Sequence, residues 1–317
     1  MGLVIKGKKV IGLALNGKKI LGEAKNGKVI WRFSFITHTP WRFTADNHVS
    51  SVAVDSSGNV YAGTSNSSVY KLNASGKQVW AFSIDGSVNS VAVDSSGNVY
   101  AGTSNSSVYQ LDASGEIVWN FTADGGVSSV AVDSSGNVYA GTNNNSVYKL
   151  DASGKQVWKF TADSSVMSVA VDSSGNVYAG TDGYSVYKLD ASGKQVWQFT
   201  ADNSVNSVAV DSSGNVYAGT NNHSVYKLNA SGNQAWKFTA DNWVNSVAVD
   251  SSDNVYAGTY SNSVYKLTPD GSNTTPSAKD APIVIGESLY DGIPSNGIML
   301  YGDATGYSSS NPTYKTS

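Results

Sequence analysis

The sequence predicts an all-β protein: a six-bladed β-propeller of four-stranded blades, with a short β-hairpin segment before it and β-like stretches after it. Three observations support this fold class. The segment Ser-Val-Ala-Val-Asp recurs six times at a constant interval of 39 residues. Each copy holds four short runs rich in Val, Tyr and Trp, separated by Ser, Gly, Asn and Asp, as strands joined by tight turns are. Four-stranded units of about 40 residues, repeated four to eight times, are typical of propellers.

One copy shows the expected order of strands within a blade. Strand D is predicted at Trp80–Ile84, and strand A of the next blade at Asn89–Asp94. Strand B follows at Asn98–Thr103 and strand C at Val108–Asp112. Side chains are small in strands A and B and larger in C and D, which suits wedge-shaped blades around an axis. An open solenoid is the alternative, and it would require polar capping repeats at both ends.

The two ends of the repeat region predict how the ring closes. The last copy stops after strand C, Val264–Leu267, whereas the first copy begins with a strand D, Trp41–Ala45, that has no preceding blade. We expect this N-terminal strand to complete the sixth blade, so that no sheet edge stays open. Trp31 lies in a similar sequence, but only Trp41 has the 14-residue spacing to Asp55 that the other copies keep.

Two dissimilar segments flank the repeat region, which we place at residues 33–270. Residues 1–32 carry eight Lys or Arg against one Glu and contain three ten-residue units with Lys-Gly or Asn-Gly steps. Asn-Gly between short apolar runs is a strong hairpin signal, so these units predict a basic β-hairpin segment. Residues 271–317 begin as a Pro/Ser/Thr/Asn linker and continue with two β-like stretches, Ile283–Tyr290 and Gly297–Tyr301.

The composition disfavours enzymes, metal sites and cofactor sites. The chain has no cysteine and three histidines, which excludes thiol chemistry and leaves little for a metal site or a Ser–His–Asp triad. The segment Ile285–Gly292 echoes an esterase nucleophile block, but no histidine follows it to act as a base. No apolar run approaches the roughly 20 residues of a membrane span, and Met1–Lys9 lacks the apolar region of a signal peptide. We expect no catalysis, no cofactor and no membrane insertion.

Two sets of charged residues each allow two interpretations. Six repeated aspartates could surround the axis and bind a cation, but an aspartate before Ser-Ser-Gly is also what a tight turn needs at its first position, and we favour turn capping. The lysines of residues 1–32 could contact nucleic acid, but no aromatic residues are interleaved with them, so we favour a solvated or partner-docking face. The six aspartates are Asp55, Asp94, Asp133, Asp172, Asp211 and Asp250.

The six copies differ mainly in their D–A and B–C loops, whereas the A–B and C–D turns are nearly uniform. Because strand direction alternates within a blade, the two variable loops should emerge on one face. Loops on a rigid scaffold are where binding residues usually lie. Drift at tolerant loop tips is the alternative.

The variable face combines short amides and hydroxyls with a few rings, which suits saccharide recognition. Rings can stack on the apolar faces of pyranoses while amides pair with hydroxyls. Ring closure is expected to make the candidates from the first and sixth copies neighbours. The candidate ligand-binding residues are His48, Tyr184, His223, Trp243 and Tyr260.

The repeats resemble two known kinds of propeller over about residues 41–270. Gly-Asn-Val-Tyr-Ala-Gly-Thr, followed by Ser-Gly-Lys-Gln-Val-Trp, resembles the repeat of pyrroloquinoline-quinone (PQQ)-type propellers. Ser-Val-Ala-Val-Asp-Ser-Ser-Gly-Asn-Val-Tyr is similar to bacterial repeats of the NHL kind. The quinone-dependent dehydrogenases among them typically have eight blades, adjacent disulfide-bonded cysteines and a calcium site. Six copies without cysteine do not fit that activity.

The N-terminal segment carries a second resemblance. Its Asn-Gly-Lys steps after the initial Met resemble the N-termini of tail and other virion proteins of phages of Gram-positive bacteria. This resemblance implies a virion location and attachment to other virion proteins through residues 1–32 and 271–317, in several copies.

Together these features predict a non-enzymatic virion structural protein, in the tail or on the capsid, whose propeller binds a host-surface saccharide. It would be made in the host cytoplasm without a signal peptide. Two alternatives stay open: a purely structural decoration or tail protein without a ligand, and a cytoplasmic scaffold for protein partners.

Overall fold

The computed structural model describes residues 41–273 throughout and, by their backbone, six short strands between residues 3 and 31. The chain divides into two compact units, Met1–Phe43 and Thr44–Ser317. The boundaries predicted after residues 32 and 270 stay predictions. Among the described residues, none forms a helix of the length and apolarity that crossing a bilayer requires.

The N-terminal unit contains three antiparallel strand pairs, each with two residues between its strands. The predicted hairpins are therefore confirmed, and the ten-residue repeat sets their spacing. The pairs are β1 (Leu3–Ile5) with β2 (Lys8–Val10), β3 (Leu13–Leu15) with β4 (Lys18–Ile20), and β5 (Gly22–Lys25) with β6 (Lys28–Trp31). The predicted C-terminal stretches Ile283–Tyr290 and Gly297–Tyr301 lie outside the described residues.

The described residues of the second unit form six antiparallel sheets in a repeated arrangement, which confirms the predicted propeller fold class. Five sheets have four strands and the sixth has three, and we call them blades 1 to 6, with strands A to D in chain order. Blades 1 to 3 are β7 (Val49–Val54), β8 (Val60–Thr64), β9 (Ser68–Leu72), β10 (Gln78–Ser83); β11 (Val88–Val93), β12 (Val99–Thr103), β13 (Ser107–Leu111), β14 (Ile117–Thr122); and β15 (Val127–Val132), β16 (Val138–Thr142), β17 (Ser146–Leu150), β18 (Gln156–Thr161). Blades 4 to 6 are β19 (Val166–Val171), β20 (Val177–Thr181), β21 (Ser185–Leu189), β22 (Gln195–Thr200); β23 (Val205–Val210), β24 (Val216–Thr220), β25 (Ser224–Leu228), β26 (Gln234–Thr239); and β27 (Val244–Val249), β28 (Val255–Thr259), β29 (Val264–Leu267).

The hydrophobic core lies between successive blades. At the interface of blades 4 and 5, Tyr178 and Val186 pack against Val205 and Val208 of the following strand A. Trp197 of strand D covers the outer part of this cluster, and its Nε1–H donates to the carbonyl of Ala230 in the next blade at 3.1 Å. Five such clusters join the six blades in sequence, so each interface repeats one set of apolar contacts.

The predicted ring closure is wrong. Trp41–Ala45 form no strand. Among the described residues, the sixth sheet has three strands, and beyond β29 it has only an isolated bridge between Leu267 and Asn273. Val52 of blade 1 is 63% exposed, whereas its equivalent Val91 in blade 2 is 6% exposed. A Cβ built on Gly258 of blade 6 would meet nothing within 4 Å, because no following blade packs there. The first and last blades therefore do not pack against each other, and the N-terminal strand does not complete the sixth blade.

Candidate binding face

The D–A and B–C loops of each blade lie on one face, as predicted, because a backbone hydrogen bond joins them. The first residue of the B–C loop donates its N–H to the carbonyl of the last residue of the D–A loop, over 2.9–3.0 Å. We call this surface the loop face. The bonded pairs, D–A residue first, are His48–Ser65, Ser87–Ser104, Gly126–Asn143, Ser165–Asp182, Ser204–Asn221 and Trp243–Tyr260.

An aspartate at the start of the D–A loop fixes the two loops on the sheet. In blade 5, Asp202 accepts hydrogen bonds from the hydroxyls of Thr220 at 3.0 Å and Ser224 at 2.6 Å. It also forms an ion pair with Lys237 at 2.9 Å. Burial alone would raise the pKa of Asp202, but the hydrogen bonds from Ser224, Lys237 and Thr220 outweigh it and hold the pKa below its ordinary value. The charged aspartate thus acts as a fixed anchor beneath the loop face.

The third residue of every B–C loop has a left-handed backbone. Asn, Asp and His tolerate this conformation better than other non-glycine residues, whereas a bulky side chain is unusual in it. Tyr184 nevertheless adopts φ 71° in blade 4, with its side chain 45% exposed. Such strain persists where the surrounding structure imposes it, and it clusters at functional sites. The six residues are Ser67, Ser106, Asn145, Tyr184, His223 and Asn262.

Trp243 and Tyr260 form an exposed aromatic pair on blade 6. Their ring centroids lie 5.5 Å apart with the planes at 45°, and the side chains are 47% and 66% exposed. The backbone bond between the two loops brings them together, since Tyr260 donates its N–H to the Trp243 carbonyl at 3.0 Å. Asn242 stands beside them, accepting the Trp243 N–H and donating to the Ser261 hydroxyl at 2.7 Å each. The pair thus has amide and hydroxyl groups at its rim.

The position of Trp243 has a structural role in other blades. Ser165 donates its hydroxyl proton to the Asn143 carbonyl of the preceding blade at 2.7 Å. Ser204 donates in the same way to Asp182, at 2.6 Å to the carboxylate. Trp243 has no hydroxyl for this link between blades. At blade 6 the chain therefore has a ring where blades 4 and 5 have a hydrogen bond that stabilises the face.

The two candidate histidines are not brought to this pair. His48 occupies the position of Trp243 in blade 1 and is exposed, but the predicted proximity of His48 to Trp243 and Tyr260 is wrong because the ends of the array do not meet. His223 takes the left-handed position in blade 5, half-buried, and its carbonyl accepts the Ala240 N–H at 2.7 Å. Trp243 and Tyr260 are thus the one pair of candidates with a direct ring contact among the described residues.

Sequence comparison of the loops missed a second variable row, the second residue of strand A. Asn206 donates from Nδ2 to the Asn221 side-chain oxygen at 2.6 Å and to the Val244 carbonyl of the next blade at 3.0 Å. Met167 holds the same position in blade 4 and is exposed. The copies differ at this position as well, so extending the comparison one residue past the loop would have found it. It adds amide groups to the inner rim of the loop face.

The repeated aspartates of the A–B turns are turn caps, which confirms the favoured interpretation. Asp172 Oδ1 accepts the N–H groups of Ser174 and Asn176 at 2.9 Å each. Its Oδ2 accepts the Asn176 amide at 2.8 Å and the Tyr178 hydroxyl at 3.0 Å. These bonds occupy the carboxylate within its own turn. Within residues 41–273, no three His, Asp or Glu side chains cluster in a way that could hold a metal ion.

Comparison with known proteins identifies the repeats. No curated protein matches the chain significantly. A family model described as outer membrane protein assembly factor BamB matches residues 20–142 and 104–309, and so spans most of the sequence. The resemblance to PQQ-type repeats is thereby confirmed, and the chain belongs to this PQQ-like repeat family.

Proposed function

We propose that this protein is a non-enzymatic virion protein whose loop face binds a saccharide on the host surface. The exposed Trp243–Tyr260 pair is the observation that carries the proposal. It places two half-exposed rings, 5.5 Å apart, on loops where the other blades have mostly small polar residues. Exposed rings of this kind offer large contact area at low entropic cost and are common binding anchors.

The chemistry around the pair suits a sugar. The inclined rings can cover the apolar face of a pyranose, and the Asn242 and Ser261 side chains stand at the rim to pair with its hydroxyls. Asn221 and Asn206 extend the amide row onto the neighbouring blade. An amide-rich surface beside two rings offers both apolar stacking and hydrogen bonding, which a polysaccharide requires together.

The virion assignment rests on the N-terminal segment. Two of its three short hairpins have the Asn-Gly-Lys steps that resemble virion proteins of phages. In this proposal residues 1–32 and 271–317 attach the chain to other virion proteins, in several copies, and the blades face outward. A protein-partner scaffold is the second candidate, because the description of the matching family names an assembly factor.

The test is binding of the labelled, full-length protein to Gram-positive cells and to their purified wall polysaccharide. The informative variant is Trp243→Ser/Tyr260→Asn, which gives blade 6 the residues that blade 5 carries as Ser204 and Asn221. Both side chains are exposed, so the variant should fold normally. Val196→Ser, at an exposed valine of strand D in blade 4 that lies outside the loop face, is the matched control.

We expect saturable binding that weakens by about tenfold or more in the double variant, corresponding to roughly 1.4 kcal/mol, and that the control retains. Equal binding by wild type and double variant would contradict the site. Absence of binding to any polysaccharide, with capture of a virion or cell protein instead, would favour the scaffold.

A further inference from the structure

Every interface between successive blades is built from the same two surfaces. The leading surface is strand B of one blade, where Gly180 leaves room for the next blade: a Cβ there would lie 2.6 Å from Cγ1 of Val205. The following surface is strand A of the next blade, with its buried Val205 and Val208. A hydrogen bond fixes the register, since Val208 N–H donates to the Ser168 hydroxyl at 3.1 Å. The described chain contains five such interfaces.

The two ends of the array present one of these surfaces each, without a partner. Blade 1 exposes the following surface, in which Val52 takes the place that Val208 has in blade 5. Blade 6 exposes the leading surface: Gly258 is open, and Val264 is 77% exposed whereas the equivalent Val225 is fully buried. Contiguous exposed apolar surface of this kind marks interaction sites.

From this repetition we infer that the two end surfaces bind each other between two copies of this chain, head to tail. The partner is specified by the interior of the molecule. Gly258 and Ser246 of blade 6 correspond to Gly219 and Ser207 of blade 5, which contact strand A of the next blade. The surface that binds blade 6 should therefore also be a strand-A surface. Among the described blades, the strand-A surface that is exposed at an end of the array is that of blade 1. Within one chain both surfaces are exposed, so the occupant comes from a second copy. The contact is heterologous, and it adds one further interface of the kind already present five times.

Engineered cysteines test the contact cleanly, because the chain has none of its own. One copy carries Ser246→Cys and the other carries Val52→Cys. These positions correspond to Ser207 and Val247 at the interface of blades 5 and 6, where the Val247 N–H donates to the Ser207 hydroxyl at 3.1 Å. The two single variants are mixed under mild oxidation. The internal pair Ser207→Cys/Val247→Cys serves as the control that a disulfide forms in this geometry.

We expect the mixture to give a disulfide-linked species of twice the chain mass, while the internal control gives a linked monomer. A chain carrying both Ser246→Cys and Val52→Cys that links only within itself, with no dimer from the mixture, would overturn the proposal in favour of closure within one chain. No bond from either, with the control bond formed, would also overturn it.

Sedimentation of the unlinked protein gives an independent readout. The mass of the wild type should rise with concentration. Gly258→Val should abolish this rise, because the added side chain occupies the space that the incoming valines need. Gly258 is open in the single chain, so the variant should fold. Val196→Asp, at an exposed valine of strand D, is the control and should associate like the wild type. A rise retained in Gly258→Val, or absent from the wild type, would contradict the contact.

Discussion

Two glycines with the same local sequence should respond oppositely to the addition of one methyl group. Gly219 and Gly258 each stand in Val-Tyr-Ala-Gly-Thr on strand B, in blades 5 and 6. A Cβ on Gly219 would lie 2.5 Å from Cγ1 of Val244, which is closer than real contacts allow, whereas a Cβ on Gly258 would meet nothing within 4 Å. Neither has a left-handed backbone, so backbone conformation does not separate them.

The magnitudes follow from packing and chain entropy. Overpacking at Gly219→Ala should destabilise by about 1–3 kcal/mol. Replacing glycine by alanine where the backbone permits it stabilises by about 0.4–1 kcal/mol, through the unfolded chain. Gly219→Ala should therefore lower the stability by about 1–2 kcal/mol on balance, and Gly258→Ala should leave it unchanged or raise it by up to about 1 kcal/mol.

Chemical unfolding followed by circular dichroism measures the difference, at a protein concentration low enough to keep the chain monomeric. Wild type, Gly219→Ala and Gly258→Ala are compared under the same conditions. Equal destabilisation by both substitutions would refute the reasoning. It would mean that a neighbouring blade covers Gly258 in the single chain, as it covers Gly219.

Three further outcomes are expected. Tyr184→Asn should stabilise the protein by about 0.5–1 kcal/mol in the same unfolding assay, because asparagine tolerates the left-handed backbone better; destabilisation would contradict the strain at this position. Tyr178→Phe should destabilise by about 1–2 kcal/mol through loss of a buried hydrogen bond to a carboxylate, and an unchanged midpoint would show that this bond contributes nothing. Stability should be constant above about pH 5 and fall below about pH 4. Five turn aspartates have folded pKa values below their unfolded ones, and Asp250 is lowered to about 2, chiefly by its hydrogen bonds from Asn254. The five are Asp55, Asp133, Asp172, Asp211 and Asp250. The stability they contribute is present above the unfolded pKa and is lost as the pH falls toward the folded pKa. Unfolding that begins near pH 6 would contradict it.

The blades were predictable because each is specified by its own 39 residues. Within blade 2 the predicted strand B, Asn98–Thr103, differs by one residue from the observed Val99–Thr103. The turn aspartates were predictable for the same reason, since their bonds reach no further than six residues along the chain. The shared face of the variable loops followed from alternating strand direction alone.

Closure could not be predicted from the repeat, because it depends on a small rotation that accumulates over five interfaces. Each interface looks identical in sequence whether the sixth blade reaches the first or not. The ring contact of Trp243 and Tyr260 depends on the backbone bond between their loops, which no pattern in the sequence specifies. The left-handed backbone at Tyr184 could not be predicted either, because the same position holds Ser, Asn or His in the other copies and so has no single residue type that indicates this conformation.

The most direct test of the proposed binding site observes Trp243 itself. The protein is produced with 5-fluorotryptophan at its eight tryptophans, and Trp243→Ser identifies the fluorine resonance of that residue. Purified wall polysaccharide is then titrated into the labelled wild type. We expect the Trp243 resonance to shift saturably while those of the strand-D tryptophans, such as Trp197, stay in place. Binding that leaves the Trp243 resonance unmoved would contradict the site.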